Sequence, residues 1–174
     1  MTPNNSKYSH AAIGYFGDVA GSWAHLYETK AVFQDRRHLF VDGLGSLVPP
    51  PGRVLDFGCG AGVLSIALAE VGYDVLGLDG AKQMVEVART LRDRNGLTNV
   101  DFQVMDAASF RSDRGIYDAI ICSSVIEYIE DDLGLLKRLA AALKDGGILL
   151  VSVPDAISLV GLAEDVMKRS RSYS

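Results

Sequence analysis

Past residue 52, two patterns of apolar positions alternate along this chain. Short runs of mostly continuous apolar residues, bounded by Gly, Pro, Asn or Asp, predict strands over 53–57, 74–79, 100–105, 117–122 and 148–153. Longer segments with apolar residues three and four apart predict helices between them. Residues 63–71 are almost wholly apolar and stop at Gly72. Residues 81–95 place Met84, Val87, Ala88 and Leu91 on one face and Arg89, Arg92, Asp93 and Arg94 largely outside it. Asn95-Gly96 supplies their left-handed stop. Residues 131–143 show Leu135, Leu136, Leu139, Ala140 and Leu143, and Asp145-Gly146-Gly147 turns the chain into the last strand. Pro154 ends that strand, and Asp155 is positioned to cap a final helix over 156–169. Strands that are apolar throughout, with helices between them, indicate an α/β fold: a doubly wound, mainly parallel sheet with helices on both faces. Such sheets bind ligands beyond the carboxyl ends of their strands, where strand order reverses.

Residues 1–48 differ in character. They hold all three histidines (His10, His25, His38), the single Trp23 and a series of other aromatics. A helix is predicted over 31–47 from the spacing of Val32, Phe33, Arg36, Leu39, Phe40 and Leu44, and Pro49-Pro50-Pro51-Gly52 ends it. The expected organisation is therefore a helical cap segment, 1–48, followed by a sheet domain, 49–174.

Composition narrows the function. A length of 174 residues suits one domain, and 48% hydrophobic with 22% charged residues excludes a disordered chain. Acids outnumber bases 22 to 17, for a net charge of −5, which argues against a protein built to grip nucleic acid. No apolar run approaches the ~18 residues of a membrane span, and residues 1–7 lack the apolar core of a signal peptide. Cys59 and Cys122 lie in apolar segments, without a CxxC or a nearby His. They read as buried packing thiols in a reducing, cytoplasmic setting.

The candidate chemistry sits at the strand ends. The first strand runs into Asp56-Phe57-Gly58-Cys59-Gly60-Ala61-Gly62 and then directly into a helix. Glycines there let the backbone turn sharply and approach a ligand. A dinucleotide fingerprint would need its third glycine where Val63 stands, and no Gly-Lys-Ser/Thr follows to make a phosphate loop. The loop suits a ligand that needs close backbone contact without phosphate. Asp79 ends the second strand, 21 residues after Gly58, where a carboxylate can accept two ribose hydroxyls. That placement would also serve a nicotinamide cofactor.

Taken in order, VLDFGCGAGVLSIALAE (54–70), DVLGLDGAKQMVEVAR, VDFQVMDAASF, YDAIICSSVIEYI and LLKRLAAALKDGGILLVSVP resemble the successive motifs of class I S-adenosylmethionine-dependent methyltransferases of the small-molecule type. YFGDVAGSWAHLYE resembles the leading segment of the same enzymes, so the likeness covers most of 13–154. The resemblance implies a Rossmann-like fold, S-adenosylmethionine as cofactor and methyl transfer to O, N or C of a small acceptor by in-line displacement. It also implies roles for individual residues. Gly58, Cys59 and Gly60 would form the cofactor loop, and Asp56 would organise it and receive the methionine ammonium. Asp79, with Gly80, would bind the ribose. Asp106 and Ala107 would meet the adenine edge, and Met84 the adenine face. The backbone of Cys122 and Ser123 would line the methionine half, and Tyr15 or Trp23 would reach the methionine carboxylate. Met84 could equally be core packing, and Tyr15 and Trp23 could serve only to staple the cap to the sheet.

Ser124-Val125-Ile126-Glu127-Tyr128-Ile129 resembles the E-x-x-E-H-V segment of ubiquinone-pathway O-methyltransferases, which carries two acids and a His near a divalent metal. Ser124 and Tyr128 replace one acid and the His, so no metal is expected. Glu127, Tyr128 and, from the cap, His25 are the candidates for a catalytic role. No Asn/Asp-Pro-Pro-Tyr/Phe run follows the fourth strand, so a nucleobase is not the expected acceptor. The family's sheet ends in a hairpin of strands six and seven, for which no residues are readable after 154. A truncated chain, or a dimer through the open sheet edge, is the corresponding expectation. The rivals are a non-catalytic cofactor-binding partner or inactive homologue, and a nicotinamide oxidoreductase.

Overall fold

A computed structural model describes residues 11–20, 31–111 and 113–153. The final helix predicted over 156–169 lies outside them. Residues 11–20 are helical (α1), and α2 spans Ala31–Leu47. Strands and helices then alternate: β1 Arg53–Phe57, α3 Val63–Glu70, β2 Asp74–Asp79, α4 Lys82–Arg94, β3 Val100–Val104, β4 Tyr117–Ser123, α5 Asp132–Ala142 and β5 Leu143–Ser152. All neighbouring strands run parallel, in the order β3-β2-β1-β4-β5. The order reverses between β1 and β4, which opens a crevice at their carboxyl ends.

Side chains alternate across a strand, so a strand covered on both faces must be apolar at every position. In β4, Ala119 and Ile121 enter one core, with Leu68 and Ala69 of α3, Ala88 of α4 and Phe102 of β3. Ile120 and Cys122 enter the other, with Leu135 and Leu139 of α5. A third, smaller cluster joins Ala20 of α1 to Ala61, Ala81 and Met84. Two glycines let α1 approach closely: a Cβ on Gly80 would lie 3.0 Å from Ile13, and one on Gly17 would lie 2.9 Å from the Gln83 amide oxygen. The proline linker is tied down by the Tyr73 hydroxyl, which donates to the Val48 carbonyl at 2.5 Å.

The last strand starts earlier than its sequence suggests. Asp145-Gly146-Gly147 reads as a turn, yet β5 begins at Leu143. Leu143 already pairs with Tyr117, and the register then shifts between Tyr117 and Ala119. Gly146, at φ 77°, supplies the left-handed residue that lets the extra length be absorbed as an irregularity in the strand.

Candidate functional site

The turn after β1 is shaped by glycines with different duties. Gly58, Gly60 and Gly62 have φ of 77°, 53° and 80°, which side chains rarely tolerate. A Cβ on Gly62 would lie 2.7 Å from both Ala88 and Phe102, and one on Gly58 would collide with Val125. These two are glycine partly for packing. A Cβ on Gly60 would meet nothing within 4 Å, so that position borders open space. The loop is held to β2 by the Gly58 and Cys59 N–H groups, which donate to the Leu78 carbonyl at 2.7 and 2.9 Å.

Two carboxylates meet this loop. Asp79 accepts the Gly60 N–H at 2.9 Å on one oxygen and the Ala81 N–H at 2.8 Å on the other, linking the loop to the start of α4. Burial pushes its pKa above the ordinary carboxylate range, against the pull of those two bonds. Each oxygen keeps a further lone pair, so two hydroxyls could still be accepted. Asp56 is only 2% exposed, and the Ser65 hydroxyl donates to it at 2.6 Å. Burial pushes its pKa up to about 6; the Ser65 bond opposes that, and the charge of Asp79 adds to it. Burial and the same acids push the Cys59 thiol far up. Burial, with Asp56 and Glu127, pushes Cys122 up to about 12. Neither thiol is a nucleophile at neutral pH.

A cavity of about 350 Å³ opens at the carboxyl ends of β1, β2 and β4, within the range of small-molecule sites. It brings together Asp56, Gly58, Cys59 and Gly60 from the loop, Asp79, Gly80 and Met84 from β2 and α4, and Asp106 and Ala107 after β3. Ser123, Glu127 and Tyr128 reach it from the end of β4 and the loop beyond. Met84 both lines the cavity and packs in the α1 cluster. Asp106 lines it while also capping a turn, through the Ala108 N–H at 3.0 Å.

Two of the sequence candidates fall elsewhere. Tyr15 is 58% exposed and is not in the cavity wall. The inward face of α1 carries Ile13, Phe16 and Ala20, three and four apart, and Tyr15 lies off that stripe. Cys122 is fully buried in the α5-side core, because strand alternation turns it away from Ser123. Trp23 and His25 lie outside the described residues.

Sequence reasoning missed Ile13, Phe16 and Arg37, all of which line the cavity. The signal was periodicity. Phe16 falls on the inward stripe of α1, and Arg37 shares the stripe of Phe40, Val41 and Leu44 on α2. Arg37 pairs with Glu70 of α3 at 3.1 Å and is the one Lys or Arg among the described cavity residues, against four acids.

Beyond β4 the wall becomes aromatic. Ser124 takes a left-handed φ of 55°, and one 3₁₀ turn, Ile126–Tyr128, follows. Phe16 packs edge-on to Tyr128, with ring centres 5.6 Å apart, and Tyr15 packs edge-on to Phe16 at 5.3 Å. Burial, then the charge of Glu127, pushes the Tyr128 phenol above its usual range, so it stays protonated. No group of three His, Cys, Asp or Glu able to hold a metal occurs among the described residues.

Residues 28–171 match the sequence profile of a family described as a methyltransferase domain. A ubiquinone biosynthesis O-methyltransferase of Xanthomonas campestris is 30% identical over 97% of this chain and 74% of its own length. Among solved structures, an S-adenosylmethionine-dependent methyltransferase from Mesorhizobium loti is 27% identical, with TM-score 0.57 over 64% of this chain and 51% of that one. A protein from Pyrococcus horikoshii OT3 is 25% identical, with TM-score 0.68 over 79% and 65%. The chain belongs to the methyltransferase-domain family. It is a class I, small-molecule, S-adenosylmethionine-dependent methyltransferase with a Rossmann-like fold. The described residues suit that cofactor: open space at Gly60, unused acceptor capacity on Asp79, and Arg37 among the acids. No helix among the described residues is long and apolar enough to cross a membrane.

Proposed function

We propose that the loop end of the cavity holds S-adenosylmethionine and that its aromatic end receives a small, largely apolar acceptor. The continuity of the cavity from the glycine loop to Phe16 and Tyr128 carries this reading. The cofactor supplies a methyl group already activated by a sulfonium. The chain has to orient it, align the acceptor and keep water out. Asp79 accepts the ribose hydroxyls, and Asp106 with Ala107 meets the adenine. Asp56 receives the methionine ammonium, and Arg37 the methionine carboxylate, exchanging its bond to Glu70. Glycine at position 60 leaves room for the ligand against the backbone. In this reading residues 1–48 form a cap and 49–174 the cofactor-binding domain. The protein works in the cytoplasm, where the buried free thiols Cys59 and Cys122 stay reduced. β5 ends the described sheet with Val151 and Val153 exposed, which supports pairing with a second copy there.

Isothermal titration with S-adenosylmethionine tests the reading. Binding should weaken at least tenfold in Asp79→Ala, and equal affinity would remove the assignment. A second titration isolates Arg37. Arg37→Ala should weaken S-adenosylmethionine about fivefold yet leave 5′-methylthioadenosine, which lacks the carboxylate, unchanged.

A further inference from the structure

The helix that leaves the glycine loop begins Val63-Leu64-Ser65-Ile66-Ala67-Leu68-Ala69, apolar at every position but one. Ser65, in its first turn, is fully buried. A serine buried in a helix usually returns its hydroxyl to a carbonyl three or four residues back. Ser65 instead reaches out of the helix to the sheet and donates to Oδ2 of Asp56 at 2.6 Å. Strand alternation explains the meeting: Val54 enters the α3-side core, and Asp56, two residues on, shares that face. A separation of 2.6 Å lies in the range of a hydroxyl bound to an ionised carboxylate. Alanine would suit the helix better, so the hydroxyl answers to Asp56 rather than to α3. Asp56 lines the cavity, as do Val63 and Leu64, whereas Ser65 lies behind them, outside the wall.

Resting on the cofactor site proposed above, we infer that Ser65 is a positioning residue for the cofactor's ammonium: it holds one oxygen of Asp56 against α3 and leaves the other, Oδ1, to anchor the ammonium in the cavity. The hydroxyl acts in two ways. It fixes the rotation of the Asp56 side chain, so the anchoring oxygen is in place before the cofactor arrives, and less freedom is lost on binding. It also favours the charged form of the carboxylate that an ammonium requires. Burial, with Asp79 at the end of β2, works against that charge. Ser65 touches no ligand, and its whole effect passes through Asp56. The ribose and adenine ends of the cofactor, met by Asp79 and Asp106, should not sense it.

The test compares S-adenosylhomocysteine with its deaminated analogue, 5′-S-(3-carboxypropyl)-5′-thioadenosine, which differs only in lacking the ammonium. Titration calorimetry on the full chain should show the parent binding at least tenfold more tightly than the analogue. In Ser65→Ala that preference should fall to threefold or less, through weaker binding of the parent, while the affinity for the analogue changes less than twofold. Asp56→Asn should remove the preference altogether. A preference still above threefold in Ser65→Ala overturns the inference. So does an equal weakening of both ligands, which is the signature of packing alone. If the unaltered chain shows no preference, or Asp56→Asn keeps it, Asp56 is not the anchor and the inference falls with that assignment. Failure of the unaltered chain to bind S-adenosylhomocysteine at all overturns the cofactor site itself, which separates the two failures.

Discussion

The glycine loop and the aromatic rim face one another across the cavity, and they are positioned by different means. At the loop, the backbone decides. Leu78 fixes two N–H groups, Asp79 fixes two more, and Gly62 fits against Phe102 with no room for a methyl group. Asp56 sits there at 2% exposure. At the rim, side chains decide. Tyr128 is 38% exposed, and an edge-on contact between Phe16 and Tyr128 joins α1 to the loop after β4. A ligand common to all such enzymes can be met by fixed backbone, because its shape never changes. An acceptor that differs between relatives has to be met by residues whose substitution leaves the sheet intact.

Breaking the loop should cost most. Gly62→Ala combines a left-handed φ with overpacking against Ala88 and Phe102, and should destabilise the fold by about 3 kcal/mol in denaturant titration. Gly60→Ala bears only the backbone cost, about 1 kcal/mol, while still weakening the cofactor. If both variants lose equal stability, the division of labour within the loop is wrong.

The next effect is the dependence on pH. Asp56 has a pKa of about 6 when folded, against 3.8 unfolded. Below pH 3.8 both states are protonated, and this stabilising effect is fully present. Between the two values the folded state binds more protons, so stability falls as pH rises, by up to roughly 3 kcal/mol in all. Asp79 is shifted in the same direction. Cofactor affinity should run the opposite way if Asp56 must be ionised to meet an ammonium. It should fall up to about tenfold per unit below pH 6, and Asp56→Asn should flatten that slope.

The rim should give the smallest effects on the cofactor and the clearest on the acceptor. Phe16→Ala removes a half-buried ring from an alanine-rich cluster. It should leave cofactor affinity within about twofold and, once an acceptor is in hand, raise its KM severalfold. A larger loss of cofactor than of acceptor affinity would erase the contrast between the two regions.

Much of this was readable in the residues themselves. Continuous apolar strands such as YDAIIC required burial on both faces, hence a parallel sheet, and the Gly58-Gly60-Gly62 spacing with Asp79 after it required a tight turn beside an acid. These are local properties, set by backbone sterics and a two-residue period. Which member of a neighbouring pair faces the ligand was not local. Tyr15 and Phe16 look alike in sequence, but only the seating of α1 on Gly80 turned Phe16 inward and left Tyr15 in solvent. Nothing local marks Arg37 in the sequence; the pairing of α2 with α3 brings it to the cavity. Periodicity determined the strands and helices, whereas the packing of one helix on another decided which side chains share the site, because that depends on contacts between residues far apart in the chain.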